Sequence, residues 1–331
     1  MLIFMKSMLR QVYGNEIIEI AKENDKIVVL DGDLATSTKT SSFGKMFPDR
    51  FFNCGIAEQN MVSVAAGLAA SGNTVFVSSF AMFLAGRAYD QIRNNVAYTN
   101  LNVKFVATHA GISVGEDGAT HQCLEDIALM RAIPGMVVLV PSDAEQTRAA
   151  IRYAASHDGP VYIRLGRVET LDYYPEKTIN FLSNKSFLFR EGSMATLLFC
   201  GPFCSLAAEV SDVLEKIGLS VRIVDMPFVK PLDEREIIRC AAETGLLVTL
   251  EEHSIVGGFG SAVCECICGA KLSGRRNGVE VFRIGVGDIF GKSGKPKELM
   301  SLYGFTVKNI VLQIISACMP EYVNDISQFL T

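Results

Sequence analysis

A chain of 331 residues, 49% hydrophobic and 20% charged, is long enough for two domains with substantial cores and lies in the globular range toward its apolar end. A net charge of -5 and the lack of any Lys/Arg run argue against a nucleic-acid groove. Apolar runs of strand length, broken by Gly or Ser, argue against a membrane span. The start, MLIFMKSMLRQ, carries no signal-peptide cleavage pattern. Nine cysteines outside a small disulfide framework point to reduced thiols in a cytoplasm.

Along the chain, strand-like runs alternate with stretches of helical period. IVVLDGD (27–33), TVFVSSF (74–80), VKFVATH (103–109), MVVLVPSD (136–143) and PVYIRL (160–165) read as buried strands. Between them, 60–71, 83–98 and 144–156 have helical spacing, and Asp143 is placed to cap the last. This alternation predicts an α/β fold with doubly wound, mostly parallel sheets. The segment 171–190 is polar, contains Pro and lacks a period, so it reads as the linker. A second series follows in MATLLFC, LSVRIVDM, LLVTLEEH and VEVFRIG. Two α/β domains are expected, at 1–190 and 191–331.

Ligands in such folds sit beyond the carboxyl ends of the strands, where GEDGATHQ (115–122) follows the run 103–109. VGGFGSA (256–262) departs from G-x-G-x-x-G spacing and reads as a tight helix start rather than a nucleotide loop. CGPFC (200–204) is one residue too long for a redox C-x-x-C pair. CECIC (264–268) does not supply four convergent zinc ligands. Both cysteine runs read as buried small hydrophobes. Glu251, Glu252 and His253 are adjacent, point in different directions, and read as structural.

Four features carry more. Glu58 opens an apolar helical stretch, where a lone acid ordinarily serves the helix dipole. Phe80 and Phe83 have helical spacing, ordinarily a core signal. His109 closes a strand, and Arg164 and Arg167 follow another, where salt bridges are the ordinary reading. Their order and spacing together shift that balance.

Taken in order, GIAEQN, THAGISVGEDGATHQCLEDIALMRAIP and PFVKPLD…TLEEHSIVGGFGSA resemble the transketolase family of thiamine-diphosphate enzymes, over essentially the whole chain. The resemblance implies a pyrimidine-binding domain followed by the family's C-terminal domain. It implies that Glu58 hydrogen-bonds a ring nitrogen of the aminopyrimidine and promotes the tautomer that takes the thiazolium proton. Phe80 and Phe83 match aromatics that wall the pyrimidine. The family's third aromatic falls near Gly86, where Arg87 is expected to fill part of the space. His109 and His121 resemble histidines that contact sugar oxygens. Asp117 matches the acid that reads a substrate hydroxyl, Arg167 a phosphate-binding arginine and Ser37 a phosphate-contacting serine. Arg164 has a match in deoxyxylulose-phosphate synthases, and Asp33 corresponds to an acid near the cofactor.

The GDG motif, with its later Asn, that binds the diphosphate through Mg²⁺ in that family is missing from the sequence. The expectation is the C-terminal subunit of a split transketolase acting on sugar phosphates. An N-terminal subunit would supply the Mg²⁺ ligands, in an α2β2 assembly without nucleic acid or membrane. The alternatives are a relative acting on unusual sugars, a deoxyxylulose-phosphate-synthase-like enzyme, or a non-catalytic partner subunit. Beta subunits of 2-oxo acid dehydrogenases lack the GEDG-x-TH loop.

Overall fold

Strands form where the apolar runs predict them, because both faces of each run are covered. The structure, a computed structural model, describes residues 5–181, 184–270 and 278–319. The first four residues of MLIFMKSMLRQ, and 320–331 of the expected second domain, lie outside the described residues. Ile27–Asp31, Thr74–Phe80 and Val103–Thr108 are buried along their whole length, as strands of a two-sided sheet must be. Among the described residues the larger sheet has seven strands. Their order is Phe228–Lys230, Val137–Leu139, Val161–Arg164, Val103–Thr108, Thr74–Phe80, Ile27–Asp31 and Phe51–Asn53. Every pairing from Val137–Leu139 to Phe51–Asn53 is parallel. Phe228–Lys230 closes one edge antiparallel.

The two-residue period of a strand distributes side chains between two cores. Val28 and Leu30 join the core under helices Glu58–Ala70 and Asp126–Ala132, whereas Ile27 and Val29 join the one under Leu9–Glu23 and Ala144–Ser156. Each fully buried Val, Leu or Ile contributes about 1.5–3 kcal/mol relative to exposure. Asp143 caps Ala144–Ser156 as expected, its carboxylate accepting the Gln146 N–H at 2.9 Å. The segment 83–98 is helical but wound differently from expectation. Two π turns, Met82–Arg87 and Ile92–Ala97, flank a short α turn at Tyr89–Gln91, and such widened turns recur at functional sites.

The second sheet has the order Glu280–Val286, Leu246–Ser254, Ala195–Phe199, Val221–Asp225 and Phe187–Arg190. It is parallel except for Phe187–Arg190, so the connection expected over 171–190 already joins the second sheet at residue 187. Its first part is tethered, since the Asp143 carboxylate accepts the N–H groups of Tyr173 and Tyr174 at 2.9 and 2.8 Å. One core runs through both sheets, from Val77 and Phe105 to Leu198, Val224 and Leu247. Glu251 explains the tight start at VGGFGSA: its carboxylate accepts the N–H groups of Phe259 and Gly260 at 2.6 and 2.8 Å, capping helix Phe259–Gly269.

Pro296–Cys318 has the length and apolarity of a membrane span. It is nevertheless two helices, Pro296–Leu302 and Val307–Cys318, separated at Gly304 with its φ of 84°. Their residues Leu299, Ile310, Val311, Ile314 and Ile315 are buried in the second domain's core. The nine cysteines are free thiols. Cys200 and Cys204 are buried as expected, but Cys264 and Cys266 are half-buried and Cys268 is exposed, because that helix presents one side to solvent.

Candidate active site

Four neighbouring strands deliver the site from their carboxyl ends, the position a parallel sheet offers to ligands. Phe80 ends Thr74–Phe80, and His109 follows Val103–Thr108. Ser37 and Asp33 follow Ile27–Asp31, and Arg167 follows Val161–Arg164. The rings of Phe80 and Phe83 stack at 5.7 Å between centroids. His109 lies against Phe80 at 3.9 Å, and His121 meets Phe83 edge-on at 5.3 Å. His109 adopts φ 58°, in the left-handed region that Asn, Asp and His enter more readily than other non-glycine residues.

Glu58 is the first residue of its helix and is 1% exposed. Arg87 donates to its Oε2 at 2.9 Å, and the same guanidinium lies 5.0 Å from the Phe83 centroid. Oε1 is buried with no hydrogen-bond partner among the described residues, an expensive arrangement unless a ligand completes it. At Gly86 an added Cβ would run into the Met82 methyl, so methionine, rather than a third aromatic, occupies this part of the wall.

Sequence reasoning missed Arg10. Its guanidinium donates to His109 Nε2 at 3.1 Å and to the Ser37 carbonyl at 3.1 Å. Arginine has no acceptor, so His109 Nε2 must be unprotonated, and Nδ1–H donates to Thr108 Oγ1 at 2.8 Å. Both ring nitrogens of His109 are thus engaged within the protein. Burial, followed by the charges of Arg10, Arg167, His121 and Lys39, pushes its pKa down to about 3. Burial and the Arg167 charge likewise lower the pKa of Arg10. His109 therefore faces several positive charges.

The sign of the His109 shift sets a pH dependence. The unfolded imidazole takes up a proton below about 6.5, while the folded one resists protonation until about 3. Its contribution to stability is therefore present above pH 6.5 and is lost as pH falls toward 3. In urea titrations, His109→Asn, which tolerates the positive φ, is expected to lose less stability than the wild type between pH 7 and 4. Parallel curves would refute the assignment.

His121 Nδ1 meets Thr120 Oγ1 at 2.9 Å, and its Nε2 has no partner among the described residues. Arg167 donates to the Val114 carbonyl and to Glu116 at 3.2 Å, which ties it to the GEDGATHQ loop. Asp117 is exposed at the end of the turn Ile112–Asp117. Glu58, Arg87, Phe83, Phe80, His121, His109, Arg10 and Ser37 form one connected set.

Four expected residues lie outside this set: Asp117 and Arg167 on or against the loop, and Asp33 and Arg164 elsewhere. Asp33 is exposed and held by Asn53 Nδ2 at 2.8 Å. Arg164, expected as a substrate contact, is 3% exposed, and its Nε and Nη2 donors are used inside the protein. It pairs with Asp126 at 2.9 Å and donates to the Cys123 and Glu252 carbonyls at 3.2 and 2.9 Å. Of its neighbours, Glu252 turns to Ser113, whereas Glu251 and His253 share a face, with His253 Nδ1 3.7 Å from Glu251 Oε2; no cluster of three or more His, Cys, Asp or Glu side chains suited to a metal occurs among the described residues.

This fold and site define a class. Residues 5–171 match the transketolase pyrimidine-binding domain and residues 185–310 the transketolase C-terminal domain; the chain belongs to the transketolase family. Within it, the two matched domains are the pyrimidine-binding and the C-terminal ones, in that order along the chain. It is 46% identical to a protein of Methanocaldococcus jannaschii described as a transketolase C-terminal section, over 95% of this chain and 97% of that one. It is 40% identical to a 6-deoxy-6-sulfo-D-fructose transketolase subunit of Clostridium sp., over 92% of each. The structure of a split-gene transketolase, an inactive beta4 tetramer, superposes with a TM-score of 0.86 at 45% identity, covering 94% of this chain and 99% of the other.

Proposed function

We propose that this chain works with an N-terminal-type subunit as a thiamine-diphosphate-dependent transketolase, moving a two-carbon ketol unit from a ketose phosphate to an aldose phosphate. Glu58 carries the proposal: a buried carboxyl group whose Oε1 lacks a partner, beside stacked aromatics, suits the ring nitrogen of an aminopyrimidine. When bound, thiamine diphosphate supplies the carbon nucleophile that adds to the ketose carbonyl. Glu58 holds a proton at Oε1 while Arg87 fixes Oε2. Phe80 and Phe83 exclude water from one face of the pocket. Arg10 and Arg167 attract the terminal phosphate, with Ser37 beside them. His121 Nε2 exchanges a proton with a sugar oxygen, neutral His109 lines the pocket beside it, and Asp117 reads a hydroxyl. The Mg²⁺ ligands belong to the partner in this reading, the assembly is α2β2, and the free thiols suit the cytoplasm.

The test is co-expression with the partner, adding thiamine diphosphate and Mg²⁺, then assaying transfer from xylulose 5-phosphate to ribose 5-phosphate. The pair is expected to turn over and this chain alone to be inactive; turnover by this chain alone would overturn the two-chain reading. The similarity to a subunit acting on 6-deoxy-6-sulfo-D-fructose supports a second reading with an unusual ketose. A sulfonate is also an anion that Arg10 and Arg167 would attract. Assaying a sulfonated ketose in parallel separates the two donors.

A further inference from the structure

The second domain touches the candidate site through one strand end. Strand Leu246–Ser254 reaches past its own core, and its last residues meet the loop that carries Asp117 and His121. The carboxylate of Glu252 accepts the N–H of Ser113 at 2.6 Å, a contact between residues 139 positions apart. Both partners are buried, Glu252 at 3% and Ser113 at 1% exposure. Two residues on, the Ser254 N–H donates to the Leu124 carbonyl at 2.8 Å. The loop between these points is therefore pinned at both ends by one strand.

Other parts of the second domain close the clamp. Gln122 donates to the Ile112, Gly115 and Lys292 carbonyls at 3.2, 3.4 and 2.9 Å. Pro296 lies against Gly115, and Ser293 occupies the space a Cβ at Gly118 would need. Glu252 itself fills the space beside Gly111, whose φ is 83°, so glycine is required there for conformation and for room. Arg164 reaches from the first sheet to the Glu252 carbonyl at 2.9 Å and fixes the strand end in turn.

We propose that Glu252 is a positioning residue for the site: by holding the Ser113 N–H it sets the loop 111–122 so that Asp117 and His121 meet the sugar. It does not touch the reacting atoms and acts through the loop. A turn with glycines at 111, 115 and 118 has many conformations of similar energy, and a site contact displaced by about 1 Å loses much of its effect. The strand supplies the rigidity that the loop lacks. This inference rests on the ketol-transfer reading for its sugar arm and on the geometry alone for its loop arm.

The loop arm is tested by hydrogen exchange on this chain by itself, comparing wild type with Glu252→Ala and Glu252→Gln. In Glu252→Ala the amides of 113–118 are expected to exchange on the order of tenfold faster, while those of 246–250 stay protected. Glu252→Gln keeps an acceptor oxygen and is expected to restore most of the protection. Unchanged exchange at 113–118 in Glu252→Ala would overturn the proposal, as would equal loss of protection throughout the chain.

The sugar arm uses the enzyme assembled with its partner. Glu252→Ala is expected to raise KM for the ketose phosphate about tenfold, with a smaller change in kcat and recovery in Glu252→Gln. Faster loop exchange with an unaltered KM would overturn the link to sugar recognition. A wild-type pair that transfers no ketol unit would instead refute the functional reading, and the exchange result would still decide whether Glu252 holds the loop.

Discussion

Glu58→Gln is expected to lower ketol transfer by about 10²–10⁴-fold, the range for a positioned proton-transfer group, while the chain still folds and joins its partner. The substitution keeps volume and an oxygen that can accept from Arg87, whose guanidinium donates to Oε2 at 2.9 Å. It removes the capacity to share a proton at Oε1, the buried oxygen without a partner among the described residues. The amide places an equally partnerless N–H group at that position and weakens the pairing with Arg87, so a stability loss of about 1–2 kcal/mol is expected, small enough for the chain to stay folded. The measurements are kcat of the assembled enzyme, the thermal midpoint of this chain and sedimentation of the complex. An unchanged kcat would eliminate Glu58 from the chemistry.

The second large effect concerns stability. Arg164→Ala is expected to destabilise the chain by about 3–5 kcal/mol, the cost of leaving one partner of a buried ion pair uncompensated. Asp126 is completely buried, and the Arg164 guanidinium also satisfies two carbonyls. The double variant Arg164→Ala with Asp126→Ala should lose less than the sum of the single losses, since neither charge is then stranded. Denaturant unfolding of the three variants checks this. A stable Arg164→Ala whose assembled enzyme shows only a weakened sugar affinity would favour the substrate role over the structural one.

The contrast between Arg164 and Arg167 shows what was legible in the sequence. Arg164 ends and Arg167 follows the same apolar run, and spacing alone does not say which guanidinium reaches the site. Arg164 is the last residue of its strand and points into the junction between the sheets, whereas Arg167, past the strand end, reaches the loop. The alternation of strands and helices was readable because it depends on local periodicity. Glu58, His109 and His121 lie in motifs that were legible as sequence, and the structure brings them together with Phe80 and Phe83.

Arg10 was not, since nothing around it in helix Leu9–Glu23 sets it apart from a surface cation. Only the packing of that helix on the sheet brings it to His109, 99 positions away. The π winding of 82–97 was hidden for a related reason: a helical apolar pattern does not report how tightly each turn is wound. Long-range pairings such as Phe228–Lys230 with Val137–Leu139 leave no trace in either segment alone.

That last pairing has a practical consequence. Phe228–Lys230 belongs by sequence to the second domain yet closes the edge of the first domain's sheet. A chain cut near residue 190 would leave Val137–Leu139 as a raw apolar margin, able to recruit strands from other molecules. The two sequence modules share a sheet edge, and a fragment meant to isolate the pyrimidine-binding half would keep that edge paired only by bringing residues 228–230 with it.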